Sequence, residues 1–156
     1  MNRGKNEFDV DYGIITCAMR HHSYEENLRM IWTAREYLGN GVCAADLAGA
    51  EAIYPMSEFM ELFKKTKALG MPFTLHAGEC GNVQNILDSV EAGAGRIGHG
   101  IAMRGHADVQ KELQKKGIGI EMCPISNLQT KAVGSTKDYP MQEFLNARLK
   151  GNGEYR

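Results

Sequence analysis

The sequence predicts an α/β fold of about five parallel βα units, organised as one domain over residues 1–156. Short apolar runs rich in β-branched residues alternate with longer segments whose apolar residues recur every three or four positions. Right-handed crossovers would lay such strands side by side as a parallel sheet with helices outside it. The chain is 43% hydrophobic and 24% charged, which is ordinary for a globular domain with a single core.

Five strands are predicted, each an apolar run that ends at a polar residue or a turn. They lie at residues 12–19, 42–46, 73–75, 96–99 and 117–122. The first run is almost uninterrupted, which is typical of a strand covered on both faces. Pro124 follows the fifth strand and prevents it from continuing as a central strand.

The segments between the strands predict helices with one apolar face. Leu28, Ile31 and Trp32 form such a face in the first helix, which the turn Gly-Asn-Gly ends. Ser57 and Asn82 are the expected N-caps of the second and third helices. The remaining helices are expected at residues 108–116 and from Pro140 onward.

Two architectures accommodate this order of elements: an open doubly wound sheet and part of a (β/α)8 barrel. The glycine fingerprint of dinucleotide-binding folds does not follow the first strand. Its near match at residues 93–98 precedes a strand, so we interpret that match as coincidental. Polar residues at the carboxyl ends of successive strands favour the barrel. A closed barrel takes about 250 residues, so this chain is too short to close one.

Charge and cysteine content exclude several classes of protein. The net charge is -1 and no basic tract is present, which gives no reason to expect nucleic acid or an acidic membrane as partner. The first residues lack the apolar core of a signal peptide, and no apolar run reaches membrane-spanning length. The four cysteines occur singly, as expected for reduced, buried thiols rather than a zinc knuckle. A cytoplasmic protein is expected.

Two neighbouring strands end in residues suited to proton transfer or metal binding. His76 and Glu79 follow the third strand, and His99 ends the fourth strand between two glycines. Because parallel strands end at one edge of a sheet, these side chains are expected to form one site. Simpler interpretations stay open from the residues alone: the histidines could satisfy local hydrogen bonds, and Glu79 could be a charge favoured at a helix N-terminus.

Other polar residues are given structural roles. Asp46 and Glu51 are interpreted as strand-end caps, with Asp46 also a candidate for supporting the site. Ser126 and Asn127 are interpreted as turn-forming residues. The remaining histidines, expected in surface positions or loops, are His21, His22 and His106.

Four motifs, in this order, resemble those of the adenosine deaminases, zinc-dependent (β/α)8 barrels that hydrolyse adenosine to inosine and ammonia. The motifs are Asp-Leu-Ala-Gly-Ala-Glu at 46–51, His-Ala-Gly-Glu at 76–79, Arg-Ile-Gly-His-Gly at 96–100 and Cys-Pro-Ile-Ser-Asn at 123–127. The resemblance extends from about residue 12 to residue 150. It implies a partial (β/α)8 TIM barrel that has the family's strands three to seven and lacks the first, second and eighth.

The resemblance also implies a role for each matching residue. His76 corresponds to a zinc ligand, and Glu79 corresponds to the general acid that protonates N1 of the purine. His99 corresponds to the histidine that orients and helps activate the zinc-bound water, and Gly49 to the glycine whose N–H donates to N3. Zinc would supply hydroxide for attack on C6. The implied substrate is adenosine or a related purine nucleoside, with AMP or adenine as the alternative.

The family's other zinc ligands have no counterpart in this sequence. They are a His-x-His after the first strand and an aspartate after the eighth. Here the adjacent histidines His21 and His22 follow the third family strand, and no aspartate lies beyond Asp138. A catalytic zinc needs about three protein ligands, and His76 is the one assigned. The expectation is therefore a truncated deaminase with an incomplete zinc site.

A partial barrel leaves open strand edges that need cover. In one hypothesis, a complementing fragment supplies the missing strands and restores deaminase activity, which the chain lacks by itself. In the other hypothesis, two copies associate at their edges, and the chain is a non-catalytic remnant stabilised as a homo-oligomer.

Overall fold

The structure, a computed structural model, describes residues 2–151 and confirms the α/β class. The strands are β1 Ile14–Met19, β2 Val42–Ala48, β3 Thr74–Ala77, β4 Arg96–His99, β5 Gly119–Glu121 and β6 Lys150–Gly151. The α-helices are α1 Asn2–Phe8, α2 Tyr24–Glu36, α3 Met60–Ala68, α4 Val83–Ala92, α5 Ala107–Lys116, α6 Pro124–Gln129 and α7 Met141–Asn146. Short 3-10 helices occupy Met56–Phe59, Ile101–Met103 and Thr136–Asp138.

The strands form two parallel sheets in which neighbours in the chain are neighbours in space. β1 pairs with β2, and the second sheet has the order β3-β4-β5-β6. An isolated parallel bridge between Ala45 and Phe73 connects the two sheets. Successive parallel strands with helices between them are the arrangement of a barrel wall.

The carboxyl-terminal end of the described chain differs from the prediction. β6 continues the sheet beyond β5, with Lys150 opposite Gly119 and Gly151 opposite Ile120, so a start of the eighth family strand is present. Its two residues carry no apolar pattern, and the pairing with β5 decides their conformation. Residues 152–156 lie outside the described residues.

Several helix boundaries and faces also differ from the predictions. Trp32 is 48% exposed although Ile31 beside it is fully buried, so the predicted apolar face of α2 is narrower than expected. Ser57 does not cap a helix, because it lies inside a 3-10 helix and α3 begins after Phe59. Asn82 is the N-cap of α4, as predicted, and its side chain accepts from the N–H of Gln84.

The hydrophobic core lies between the sheets and the helices. In β3, Leu75 and Ala77 point to one face of the sheet and are fully buried. Phe63 of α3 and Ile86 of α4 belong to the same buried cluster. His76 lies between Leu75 and Ala77 in the strand, so its side chain points to the opposite face. The burial of the helix-facing residues therefore fixes the side of the sheet on which His76 is presented.

The cysteines do not lie in the core, which contradicts the sequence-based expectation. All four are free of disulfides; Cys17, Cys43 and Cys80 are exposed and Cys123 is half-buried. Cys17 lies on the same face of β1 as Ile15, which is 40% exposed. Because this face is uncovered, Cys17 is exposed although its side chain is apolar. In the part of the chain that the structure describes, no helix has the length and apolarity needed to cross a membrane.

Candidate active site

The two predicted site strands lie side by side and end together. β3 and β4 are parallel, with His76 opposite Gly98 and Ala77 opposite His99. The imidazole rings of His76 and His99 are 5.0 Å apart between centroids. The N–H of Gly100 donates to the carbonyl of Ala77 at 3.0 Å, which holds the two strand ends together. The structure therefore brings both histidines to one place.

The turn after β3 requires glycine at position 78. Gly78 has φ +73°, and a Cβ there would lie 2.5 Å from Cδ1 of Ile86. A side chain at this position would meet both backbone strain and a collision with the core. The close approach of the turn to α4 therefore restricts position 78 to glycine.

A buried carboxylate, Glu51, holds the turn after β3 in place. Its side chain accepts from the backbone N–H groups of Gly78, of Glu79 at 2.9 Å and of Cys80 at 3.3 Å. It also accepts from Nδ2 of Asn85 at 2.9 Å. Glu51 is 4% exposed, so these donors replace the water that a carboxylate would otherwise need. Glu51 was interpreted as a strand-end cap, but it binds the backbone next to the candidate acid.

The Glu79 carboxylate lies among hydrogen-bond donors from α6 and the residue after it. Its Oε1 accepts from Oγ1 of Thr130 at 2.9 Å and lies 3.4 Å from Nδ2 of Asn127. Its Oε2 lies 3.5 Å from Nε2 of His99. Glu79 and His99, predicted to share a site, are therefore in direct contact.

Asn127 is a site residue that the sequence analysis missed. Its side chain is fully buried, and Nδ2 lies 2.9 Å from Nδ1 of His99. The interpretation as a turn-forming residue is wrong, because residues 124–129 form α6 with Pro124 in its first turn. The helix directs Asn127 inward. The motif at 123–127 was the available signal, but the residue pattern alone does not distinguish a turn from a short helix.

His76 lies against Asp46, the residue considered as a possible support for the site. Nδ1 of His76 is 2.8 Å from Oδ2 of Asp46. The oxygen lies off the direction in which a ring N–H would point, so the contact is electrostatic rather than a well-directed hydrogen bond. This contact raises the pKa of His76 above the ordinary histidine value, while burial opposes the rise; the charges of Glu121 and Glu79 add to it.

Gly49 lies in the same cavity as Glu79. The cavity has a volume of about 470 Å³, and its lining includes Gly49, Glu51, Glu79 and Thr130. Gly49 has φ +114°, a conformation that favours glycine. The structure therefore places the backbone that follows β2 in the same cavity as the candidate acid.

Arg20 is a buried residue for which the sequence analysis made no prediction. It follows β1 and is 2% exposed. Its guanidinium donates to the carbonyl of Tyr54 at 2.6 Å and to the carbonyl of His76 at 2.8 Å, and it lies over the ring of Phe59. Burial lowers the pKa of Arg20 from its ordinary value, opposed by the charges of Glu51 and Asp46. Arg20 thereby ties the end of β1 to the residue predicted as a metal ligand.

The described residues fit only part of a zinc site. Asp46 lies beside Nδ1 of His76, where a carboxylate can support a metal-binding imidazole, but the pair lacks the directed hydrogen bond that orients such a ligand. Within residues 2–151, however, no group of three or more histidine, cysteine, aspartate or glutamate side chains is arranged to hold a metal ion. One candidate ligand is fewer than the three that catalytic zinc sites use.

A parallel sheet with histidine and carboxylate side chains at the ends of its strands is typical of (β/α)8-barrel enzymes. The chain belongs to the adenosine deaminase family, whose sequence profile matches residues 1–152. This match confirms the resemblance found in the four motifs.

Known relatives show how much of a whole protein this chain represents. An adenosine deaminase from Enterococcus faecalis is 38% identical over 149 residues, which are 96% of this chain and 44% of that protein. The crystal structure of an adenine deaminase from Arthrobacter aurescens matches with TM-score 0.83 and 26% identity, over 96% of this chain and 46% of that one. The chain therefore spans less than half the length of these relatives.

A structure with bound zinc supports the fold assignment. An amidohydrolase from Burkholderia ambifaria, with bound Zn, matches with TM-score 0.86 over 97% of this chain and 43% of that one. At 18% identity this likeness shows the fold alone. Together with the topology, it confirms the prediction of a partial (β/α)8 barrel.

Proposed function

We propose that this chain supplies the purine-protonating half of an adenosine deaminase active site, for the reaction of adenosine and water to inosine and ammonia. The contact between Glu79 and His99 at the ends of neighbouring strands carries the proposal. In it Glu79 is the general acid towards N1, His99 orients the attacking water, and His76 is a metal ligand. The N–H of Gly49 donates to N3 from the cavity that Glu79 also lines.

The contacts around Glu79 hold its carboxyl group in one orientation. Thr130 donates to Oε1, and Nδ2 of Asn127 lies 3.4 Å from the same oxygen. A carboxylic acid held in this way can transfer its proton to a ring nitrogen as water adds to C6 and the amino group leaves. The turn that carries Glu79 is fixed by Glu51, so the acid is held in one position before substrate binds.

We further propose that the chain is inactive by itself and needs a complementing fragment. His76 is one zinc ligand where about three are needed, so no step of the reaction is assigned to a metal held by this chain. The residues described here bind, orient and protonate the purine.

Absorbance spectroscopy of adenosine tests both parts. The isolated chain with added zinc is expected to give no conversion; conversion that disappears in Glu79→Gln would support deamination and refute inactivity of the chain alone.

A chimera tests the active-site roles when the other strands are present. This chain would replace the matching segment of the Enterococcus faecalis enzyme. The chimera is expected to deaminate adenosine, and Glu79→Gln is expected to lower its kcat by about 100-fold to 10,000-fold. Glu91→Gln, at an exposed position of α4, is the matched control. A folded chimera whose activity does not depend on Glu79 would refute the assignment.

Adenine or AMP is the alternative substrate. The 26% identity to an adenine deaminase supports adenine as a competitor of adenosine. Comparing kcat/KM of the chimera for adenosine, adenine and AMP, each relative to the parent enzyme, would separate the three. If the substrate preference of the chimera differs from that of the parent enzyme, residues of this chain determine the preference.

The non-catalytic alternative is a remnant stabilised as a homo-oligomer. An open groove of about 570 Å³ lies beside β1, with Thr16, Met30 and Tyr37 in its lining. Among the described strands, β1 pairs on one side only, which leaves an edge for a second copy. A stable dimer by sedimentation, without purine binding by calorimetry, would favour this alternative over a complementable enzyme.

A further inference from the structure

We propose that Asn127 is a positioning residue that holds neutral His99 in the tautomer protonated at Nε2. The side chain of Asn127 is fully buried, and its Nδ2 lies 2.9 Å from Nδ1 of His99. His99 is itself 4% exposed, so water does not readily replace this partner. An amide N–H₂ can only donate, which makes Nδ1 of His99 the acceptor.

The surroundings of Asn127 fix the direction of its amide. Nδ2 is 3.4 Å from Oε1 of Glu79, and Oδ1 accepts from the hydroxyl of Tyr139 at 3.4 Å. Turning the amide over would place Oδ1 against the carboxylate oxygen of Glu79, where two acceptors would face each other. The orientation with Nδ2 towards His99 and Glu79 is therefore the one that satisfies the network.

The tautomer decides what His99 presents to Glu79. A neutral imidazole carries one proton, so an accepting Nδ1 leaves the proton on Nε2. Nε2 lies 3.5 Å from Oε2 of Glu79. His99 therefore turns an N–H towards the candidate acid rather than a lone pair. The backbone of His99 also has φ +68°, an uncommon conformation for a residue other than glycine.

For deamination, this positioning rests on the proposed function. With Nε2–H towards Glu79, the imidazole stabilises the Glu79 carboxylate after proton transfer to the purine and does not compete for its proton beforehand. The tautomer itself is a property of this chain, whatever reaction the chain serves.

Nitrogen NMR of the whole 156-residue chain measures the tautomer directly. Long-range proton–nitrogen correlation spectra of the ¹⁵N-labelled protein, recorded at alkaline pH, distinguish protonated from unprotonated ring nitrogens. His99→Gln identifies the signals among the five histidines. The expected result is an unprotonated Nδ1 and a protonated Nε2. A proton on Nδ1, or averaged shifts typical of two exchanging tautomers, would overturn the proposal.

Two variants test whether Asn127 is the cause. Asn127→Asp replaces the donor with an acceptor of similar shape, so the His99 proton is expected to move to Nδ1. Thr130→Val is the matched control, because Thr130 donates to Glu79 but has no hydrogen bond to His99 in the structure. The control is expected to leave the tautomer unchanged. A folded Asn127→Asp protein with Nδ1 still unprotonated contradicts the proposal, and if that variant does not fold, the wild-type spectrum decides.

These outcomes are separable from those of the activity assays. A chimera without deaminase activity refutes the proposed function and leaves the NMR result intact. An active chimera whose chain shows the opposite tautomer refutes the role of Asn127 alone.

Discussion

Replacing Glu51 by alanine removes the acceptor that holds the turn carrying Glu79. Four donors lose their partner: Asn85 Nδ2 and the backbone N–H groups of residues 78, 79 and 80. Two of these donors, on Gly78 and Asn85, are buried, and each buried donor left without a partner costs about 1–3 kcal/mol. The other two can be rehydrated. We expect Glu51→Ala to lower the free energy of unfolding by about 4 kcal/mol, and Glu51→Gln by about half as much because one acceptor oxygen remains.

Urea unfolding followed by far-ultraviolet circular dichroism gives the free energies. Glu91→Ala is the matched control, since Glu91 is an exposed glutamate on α4, and its expected effect is within about 0.5 kcal/mol. Amide hydrogen exchange adds a local readout. In Glu51→Gln the amides of residues 78–80 should exchange faster while those of β4 keep their protection.

Two results would refute this reasoning. A Glu51→Ala protein as stable as the control would mean that water or another acceptor satisfies the turn. Unchanged protection of the three amides in Glu51→Gln would mean that the turn is held by its own backbone geometry.

Three further predictions follow from buried contacts. Asp46→Asn should lower the pKa of His76 in the zinc-free chain, as measured by NMR titration. The contact stabilises the folded protein below the ordinary histidine pKa, and this stabilisation is lost as the pH rises through the raised pKa of His76. Urea unfolding should therefore show the variant most destabilised at acidic pH. Gly78→Ala should destabilise the fold by about 2–4 kcal/mol through its φ of +73° and the collision with Ile86, and an unchanged midpoint in urea would contradict that geometry. Arg20→Met should lower the free energy of unfolding by about 2–4 kcal/mol, because two carbonyls lose their donor. A variant that is more stable in thermal unfolding would show that the desolvation of the guanidinium costs more than its hydrogen bonds contribute.

Local sequence patterns predicted the order and type of most elements. The apolar runs that became β1 to β5 were found because strands of a parallel sheet are rich in apolar residues, although one face of β1 is exposed. Asn82 was found as an N-cap because capping depends on residues within one helical turn. The same reasoning failed for α6 and β6, where short segments take their conformation from neighbours distant in sequence.

The candidate site was predictable only in part. His76, Glu79 and His99 stand at strand ends, and parallel pairing of adjacent strands was enough to bring them together. Their supporting residues had no such signal. Asn127 contacts His99 across 28 positions of the chain, and a residue pattern does not distinguish such a partner from a turn residue.

The sequence by itself determined which residues end the strands, since hydrophobic periodicity and motif order are properties of neighbouring positions. The tertiary structure alone decided what holds those residues in place. Glu51 binds the turn 27 to 29 positions away, and Arg20 donates to His76 across 56 positions. The physical reason is that a buried charge is stable wherever packing supplies its partners, and packing is set by the whole fold rather than by spacing along the chain.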